Sequence, residues 1–164
     1  MKPFECLYVP IGVSTFHLES AQKAFEDSIR LLKSIDENVT VSSEMLLSIE
    51  TLLQYIDGKN PDLVILQNVT FANSAYATEV LKRISAPVLL WTLREPVIDG
   101  GRLRLNSLTG AFSAGYAYKA IRKDKIFYIY GSPSDDSIQN RLAKIIRAAK
   151  LKHEMKNANL LMVG

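Results

Sequence analysis

Residues 87–117 read PVLLWTLREPVIDGGRLRLNSLTGAFSAGYA, which is an apolar run, a charged loop and a segment of small residues in succession. The run at 87–91 starts with proline and has no polar position, which is typical of a central parallel strand buried on both faces. The segment from 108 onward predicts a helix. In an open α/β sheet, the loops beyond the carboxyl ends of the strands form the binding crevice. The polar side chains of this loop are therefore candidate ligand contacts: Arg94, Glu95, Asp99, Arg102, Arg104 and Asn106.

The rest of the chain repeats this strand-then-helix order. Apolar runs predict further strands at 4–13, 39–41, 62–66 and 125–130. Apolar residues spaced three and four apart predict helices over 18–35, from Ser42 or Ser43 to Gly58, over 75–84, over 108–122 and from a Ser132 N-cap onward. The βαβαβαβαβα order predicts an α/β fold, a three-layer doubly wound parallel sheet with the flavodoxin-like strand order 2-1-3-4-5.

The length of 164 residues suits one compact domain, which we assign to residues 1–158. Residues 159–164 read NLLMVG and predict a new strand that stops without a turn or a polar tail. This strand either leads into a following domain that is missing from the chain or adds an edge strand to the sheet. The first alternative makes the chain the amino-terminal part of a longer protein.

The composition excludes several classes of protein. With 48% hydrophobic and 23% charged residues, the chain is expected to be an ordinary soluble domain. No apolar run reaches the roughly 18–20 residues that cross a bilayer, and the first residues lack a signal-peptide pattern, so we expect a cytoplasmic protein. The net charge is +3, and the basic residues of the last helix alternate with apolar ones, which favours a solvated face over nucleic-acid binding.

Motifs for common cofactors are missing from the sequence. There is no G-x-G-x-x-G after the first strand and no G-x-x-x-x-G-K-[ST], so dinucleotide and P-loop sites lack their phosphate cradle. The single cysteine, Cys6, lies in an apolar run and is expected in the core, and His17 and His153 lie too far apart in sequence to form a metal-ligand pair. Only Ser14 and Thr15 hint at the phosphate loop of a flavodoxin. We therefore expect no metal and no cofactor in this chain.

Two loops are expected to flank the crevice, because the topological switch of a 2-1-3-4-5 sheet lies between the first and third strands. The first loop contributes Thr15 and His17. His17 lies near the start of the first helix, where it is either a ligand contact or an exposed or capping residue. The second loop contributes Thr70 and Phe71, which combine a hydroxyl group with an aromatic plane, as sugar sites do.

The third loop contributes Trp91, Arg94, Glu95 and Asn106. Trp91 stands at the end of a central strand and is either a ligand contact or a core residue. Arg94 either binds a ligand or forms an internal ion pair with Glu95 or Asp99. Asn106 either caps the following helix or belongs to an N–H-rich turn that receives a hydroxyl or carboxylate group.

Two motifs, QN-x-TFAN at 67–73 and LWTLREP followed by GGRLRLNSLTGAFSAG within 90–115, resemble the amino-terminal domain of the L-fucose/L-arabinose isomerase family. The resemblance implies an aldose–ketose isomerase that works through an enediol on a divalent cation, usually Mn²⁺, held by Glu, Asp and His side chains of later domains. It also implies that the amino-terminal domain supports oligomerisation and covers the active site of a neighbouring subunit.

On this interpretation the chain is not catalytic by itself and supplies neither catalytic residues nor metal ligands. The resemblance implies a monosaccharide substrate and a homo-oligomer, with no nucleic-acid or membrane partner. Substrate contacts are predicted for Thr15, His17, Thr70, Phe71, Trp91, Arg94, Glu95 and Asn106. Two alternatives stay open: a free-standing flavodoxin-like module that binds a small ligand or a flavin, and a regulatory interaction domain without a ligand.

Overall fold

The computed structural model describes residues 2–122, 126–156 and 158. Within these residues, strands alternate with helices along most of the chain. The elements are β1 (Cys6–Ile11), α1 (Leu18–Ile35), α2 (Ile49–Ile56), β2 (Leu63–Asn68), α3 (Ser74–Arg83), β3 (Val88–Thr92), α4 (Ser107–Ile121), β4 (Phe127–Tyr130) and α5 (Asp136–Lys156). The strand predicted at 159–164 and the predicted first residue of the strand at 125–130 lie outside the described residues.

Four parallel strands form the sheet of the described residues, in the order β1-β2-β3-β4. The register pairs Val64 with Val88 across the centre and Leu89 with Phe127 toward the edge. Every residue of β1, β2 and β3 is buried, as expected for apolar strands that are covered on both faces. The α/β class predicted from the sequence is therefore confirmed.

The strand predicted at 39–41 does not form, and the strand order 2-1-3-4-5 is not confirmed. The segment makes one parallel bridge to β1 at Thr40, whose carbonyl accepts the Tyr8 N–H at 2.9 Å. The ladder stops there because Pro10 has no N–H for the next step. The Tyr8 carbonyl is also occupied, since the Tyr55 hydroxyl donates to it at 2.9 Å.

α2 begins later than predicted, after Ser48 rather than after Ser42 or Ser43. The segment before it is held against the edge of β1, where the Leu46 N–H donates to the Pro10 carbonyl at 2.8 Å. Ser48 then starts the helix with a capping box, in which its hydroxyl accepts the N–H three residues on at 3.1 Å.

α5 begins at Asp136 and not directly after Ser132, the predicted N-cap. The Asp135 carboxylate accepts the Ser132 N–H at 2.9 Å, and the Asp135 N–H donates back to the Ser132 carbonyl at 3.0 Å. These bonds close a turn that includes Pro133. The Ser-Pro-Ser-Asp sequence therefore forms a turn ahead of the helix.

Helices cover both faces of the sheet, which gives the predicted three layers. α2, α3 and α4 pack on one face around Leu7 and Leu90, and α1 and α5 pack on the other around Phe25 and Trp91. Cys6 lies in the second of these cores, where burial raises the pKa of its thiol to about 12, so the predicted core role of this residue is confirmed. None of the helices in the described residues combines the length and the apolar character that crossing a bilayer requires.

His153 ties α5 to the segments that precede β1 and β2. Its Nδ1 lies 2.9 Å from the Asp62 carboxylate and its Nε2 lies 2.8 Å from the Lys2 carbonyl, so both nitrogens can donate when the ring is protonated. These two bonds raise the pKa of His153 above its ordinary 6.5. Burial by itself would raise the pKa of Asp62, but the hydrogen bonds from His153 and from the Glu5 N–H outweigh burial and lower this pKa.

We predict that the free energy of unfolding falls as the pH rises through the elevated pKa of His153. A group with a higher pKa in the folded state stabilises the fold fully below its unfolded pKa and loses this contribution as it deprotonates. Urea unfolding at about pH 5.5 and about pH 8.5 measures the difference. His153→Gln should reduce this difference, because glutamine does not titrate. An undiminished pH dependence in His153→Gln would contradict the prediction.

Candidate functional site

Three loops meet beyond the carboxyl ends of the strands, and backbone hydrogen bonds hold them together. The His17 N–H donates to the Arg104 carbonyl at 3.0 Å, which joins the loop after β1 to the loop after β3. The Phe71 N–H donates to the Leu105 carbonyl at 2.8 Å, which joins the loop after β2 to the same segment. The structure therefore brings the loop after β3 together with the two loops that the sequence predicted to flank the crevice.

Glu95 folds the long loop after β3 back onto itself. Its carboxylate accepts the Leu105 N–H at 2.6 Å and the Asn106 N–H at 3.1 Å, so both oxygens are used within the loop. Asn106 has a positive φ of 51°, the left-handed conformation that asparagine tolerates better than most residues. Glu95 thus shapes the site through the backbone of residues 105 and 106.

Arg94 pairs with a residue that the sequence analysis did not consider. Its Nη2 donates to the Asp135 carboxylate at 2.8 Å, so the predicted internal partners Glu95 and Asp99 are both wrong. The Asp99 carboxylate instead accepts the Gly101 N–H at 2.9 Å. Arg94 is exposed and lines a cavity of about 200 Å³ together with residues of α1 and of the turn before α5.

The start of α4 is fixed to the ends of two strands. The Ser107 hydroxyl donates to the Asn68 carbonyl and accepts the Leu93 N–H at 2.9 Å. Asn106 occupies the N-cap position, but its side chain makes no capping bond and instead accepts from the Thr109 hydroxyl at 2.7 Å. Asn106 therefore stands at the predicted N-cap position, but its side chain does not cap the helix.

Asn68 and Thr92 form a polar pair of positions that sequence reasoning missed. They face each other in the register of β2 and β3, and both are completely buried. Among the described residues, the side-chain atoms Asn68 Nδ2, Asn68 Oδ1 and Thr92 Oγ1 have no hydrogen-bond partner. α4 lies close above Asn68 because Gly110 has no side chain; a Cβ there would stand 2.6 Å from Asn68 Nδ2. The sequence did contain a signal for this pair, because each of the two apolar strands ends in a polar residue.

A groove of about 350 Å³ lies between residues 15–17 and residues 102–104. Arg102 extends across it: Nη2 donates to the Thr15 carbonyl at 3.0 Å, and the guanidinium carbon lies 5.1 Å from the centre of the Phe16 ring. Phe16 in turn lies 6.1 Å from Phe71, measured between ring centres. The groove therefore combines the aromatic plane of Phe16 with a cation, a combination suited to a polar ligand with a hydrophobic face.

Four of the predicted contact residues take structural roles within the chain. His17 caps α1, since its Nδ1 accepts the Ser20 N–H at 3.2 Å. Thr70 is buried, and its hydroxyl accepts the Val13 N–H at 2.8 Å. Trp91 is also buried, donates from Nε1 to the Gly131 carbonyl at 3.0 Å and fills the core, as its alternative role required. Glu95, described above, is the fourth. Thr15, Phe71, Arg94 and Asn106 retain exposed surface at the sheet edge.

We predict that Glu95→Ala destabilises the fold more than Arg94→Ala does. Glu95→Ala removes the acceptor of two backbone N–H groups and should lower the free energy of unfolding by about 1–3 kcal/mol. Arg94→Ala breaks an exposed ion pair with Asp135 and should cost less than about 1 kcal/mol. Urea titrations of the two variants beside the parent chain measure both values. Equal losses in the two variants would mean that the Glu95 contacts do not hold the loop.

The chain is similar to enzymes named sulfoquinovose isomerase. It is 49% identical over 164 residues to the enzyme of Clostridium sp. (strain MSTE9), covering all of this chain and 37% of that protein. Identity to the enzyme of Priestia aryabhattai is 35% over 161 residues, and to that of Alkalicoccus urumqiensis 29% over 160 residues. These two matches cover 96% of this chain and 36% and 35% of the relatives. No protein-family model matches the chain.

The chain thus spans a little over a third of the length of the curated relatives it matches. Their names identify them as sugar isomerases, which agrees with the isomerase part of the resemblance seen in the sequence. They are named for sulfoquinovose, so they support a relation to sugar isomerases and not to fucose isomerase specifically. The similarity is to a sulfoquinovose isomerase along nearly the whole of this chain.

Proposed function

We propose that this chain is the substrate-contacting domain of a sulfoquinovose isomerase, an enzyme that interconverts an aldose and a ketose. The observation that carries the proposal is the 49% identity to the Clostridium enzyme, which extends over the whole chain. The meeting of three loops at one edge of the sheet supports it, because ligands of open α/β sheets bind there.

The chemistry of proton transfer is assigned to other parts of the complete enzyme. In residues 2–122, 126–156 and 158, no three His, Cys, Asp or Glu side chains lie close enough to hold a metal ion. The described residues therefore do not fit Mn²⁺, and no step of the reaction is routed through a metal in this domain. Its own groups are suited to binding: the Phe16 and Phe71 rings, the Arg102 guanidinium and the backbone around Thr15.

In this proposal the groove covers the active site of a neighbouring subunit. The groove is open to solvent and is lined by surface loops rather than enclosed by the core. An open surface binds a small sugar weakly, because small-molecule sites bury most of their ligand. A second protein surface that closes over the groove would supply the missing burial, and the resemblance to the fucose isomerase family implies such an arrangement.

An apolar surface on α4 and β4 supports the oligomeric part of the proposal. On α4, Phe112 and Tyr116 are 73% and 75% exposed, and with Leu108 and Tyr128 they line a groove of about 490 Å³. Apolar side chains grouped in this way mark contact sites between proteins. Since the resemblance implies a homo-oligomer, the occupant that we propose for this surface is a second subunit.

Activity is tested in a chimera in which this chain replaces the matching segment of the Clostridium enzyme. We predict that the chimera isomerises sulfoquinovose with a kcat/KM within about tenfold of the parent enzyme. The 164-residue chain alone and the Clostridium enzyme without its matching segment are the controls, and both should be inactive. A folded chimera without activity would contradict the proposed function, and activity in the chain alone would contradict the division of labour.

Oligomerisation is tested by light scattering on the isolated chain over a range of concentrations. We predict that Phe112→Glu raises the dissociation constant of self-association at least about tenfold, because it places a charge in an apolar contact. Met155→Glu is the matched control, since Met155 is 69% exposed on α5, outside the α4–β4 surface. Equal effects of the two substitutions, or a parent chain that does not associate, would remove this surface from the proposal.

A further inference from the structure

The groove between residues 15–17 and 102–104 carries two guanidinium groups that no described carboxylate neutralises. Arg102 and Arg104 both line it, and neither forms an ion pair within the described residues. Arg94 belongs to the same loop but, unlike Arg102 and Arg104, forms an ion pair with Asp135. Two unneutralised cations in one groove create a positive potential that attracts an anion.

Arg102 is held in place but keeps hydrogen-bonding capacity. One N–H donates to the Thr15 carbonyl, and the guanidinium stacks on the Phe16 ring. Its remaining N–H donors have no partner among the described residues. A guanidinium group presents five donors in a planar fork, so an arginine anchored through one of them is suited to bind an anion through the others.

Arg104 and the start of α1 add to the positive character of the groove. The Arg104 backbone is fixed by the His17 N–H on one side and, through the neighbouring Leu105, by Glu95 on the other. His17 is the N-cap of α1, a helix of 18 residues, whose aligned peptide dipoles place partial positive charge at this end, where Glu19 in the first turn adds one exposed carboxylate. Both arginines and the helix end therefore face one small region at the edge of the sheet.

We propose that Arg102 and Arg104 bind the sulfonate group of the substrate. This inference rests on the proposed function and deepens it. Sulfoquinovose is a hexose that carries a sulfonate on carbon 6, a permanent anion with three acceptor oxygens. Guanidinium groups bind such oxygens with charge-assisted, often bidentate hydrogen bonds. The aldose–ketose reaction takes place at carbons 1 and 2, so a domain whose described residues form no metal-binding cluster is suited to hold the opposite end of the sugar.

A sulfonate-binding role for Arg102 and a purely structural role have different kinetic consequences. If Arg102 served only to pack on Phe16 and to bond to Thr15, its replacement would lower stability and leave substrate affinity unchanged. If it binds the sulfonate, replacement weakens binding at a group remote from the reacting carbons. Loss of such binding raises KM with little change in kcat when the contact is made equally in the ground state and the transition state.

The test uses the chimera described above, with Arg102→Gln and Arg104→Gln made singly. Each should raise KM for sulfoquinovose about 10- to 100-fold while kcat changes less than about threefold, because each removes a charge-assisted hydrogen bond. Arg102→Lys, which keeps the charge and loses the fork, should give an intermediate KM. Arg147→Gln is the matched control, since Arg147 is exposed on α5, away from the groove; its KM should equal that of the parent chimera.

The outcomes distinguish this inference from the proposed function. An active chimera whose KM is unchanged by Arg102→Gln and Arg104→Gln overturns the sulfonate site and leaves the isomerase assignment intact. An inactive chimera counts against the proposed function, and the sulfonate site is then decided by NMR titration of the 164-residue chain. In that titration sulfoquinovose, but not glucose, must shift the amide signals of residues 102–104. Equal responses to the two sugars, or no response, overturn the sulfonate site.

Discussion

The two hydrogen bonds from the Leu105 and Asn106 N–H groups to the Glu95 carboxylate close the loop on which the rest of the site depends. With the loop closed, the Arg104 carbonyl meets the His17 N–H and the Leu105 carbonyl meets the Phe71 N–H. One side chain therefore determines the relative positions of the loops after β1, β2 and β3. It also positions the start of α4, because Asn106 directly precedes that helix. The Glu95 carboxylate therefore has a structural role, and through the loop backbone it sets the shape of the groove.

The sequence predicted the elements that depend on local pattern and mispredicted those that depend on distant partners. Within the described residues, the apolar runs and helical spacings predicted four of the strands and all five helices, although α2 and α5 begin later than predicted. The segment at 39–41 has the composition of a strand, but its pairing is limited by Pro10 and by the hydroxyl of Tyr55, neither of which is near it in sequence. Local composition does not report on the hydrogen bonds that a neighbouring strand can offer.

The candidate site was predicted at the level of loops rather than of side chains. The three loops do meet, because parallel strands bring their carboxyl ends to one edge. Which side chain points outward could not be read from the sequence: Trp91 lies near the end of a strand and Thr70 follows one, both lead into surface loops, and both are buried. The partner of Arg94 was missed for the same reason, since Asp135 lies 41 residues away and after another strand. Arg94 and Glu95 are adjacent in sequence, but in the folded chain Arg94 pairs with Asp135 instead.

Pro10 also affects whether the edge of this sheet can pair with a strand of another molecule. An unpaired strand edge invites another chain to extend the sheet, which is a common route to fibres and aggregates. On the outer side of β1, Pro10 offers no N–H to an incoming strand, and the Tyr8 carbonyl already accepts a hydrogen bond from the Tyr55 hydroxyl. On β4, the Arg141 guanidinium donates to the Tyr128 carbonyl at 3.0 Å. Within the described residues, both margins of the sheet therefore carry contacts that compete with an incoming strand, and we expect them to oppose extension of the sheet from one copy to the next.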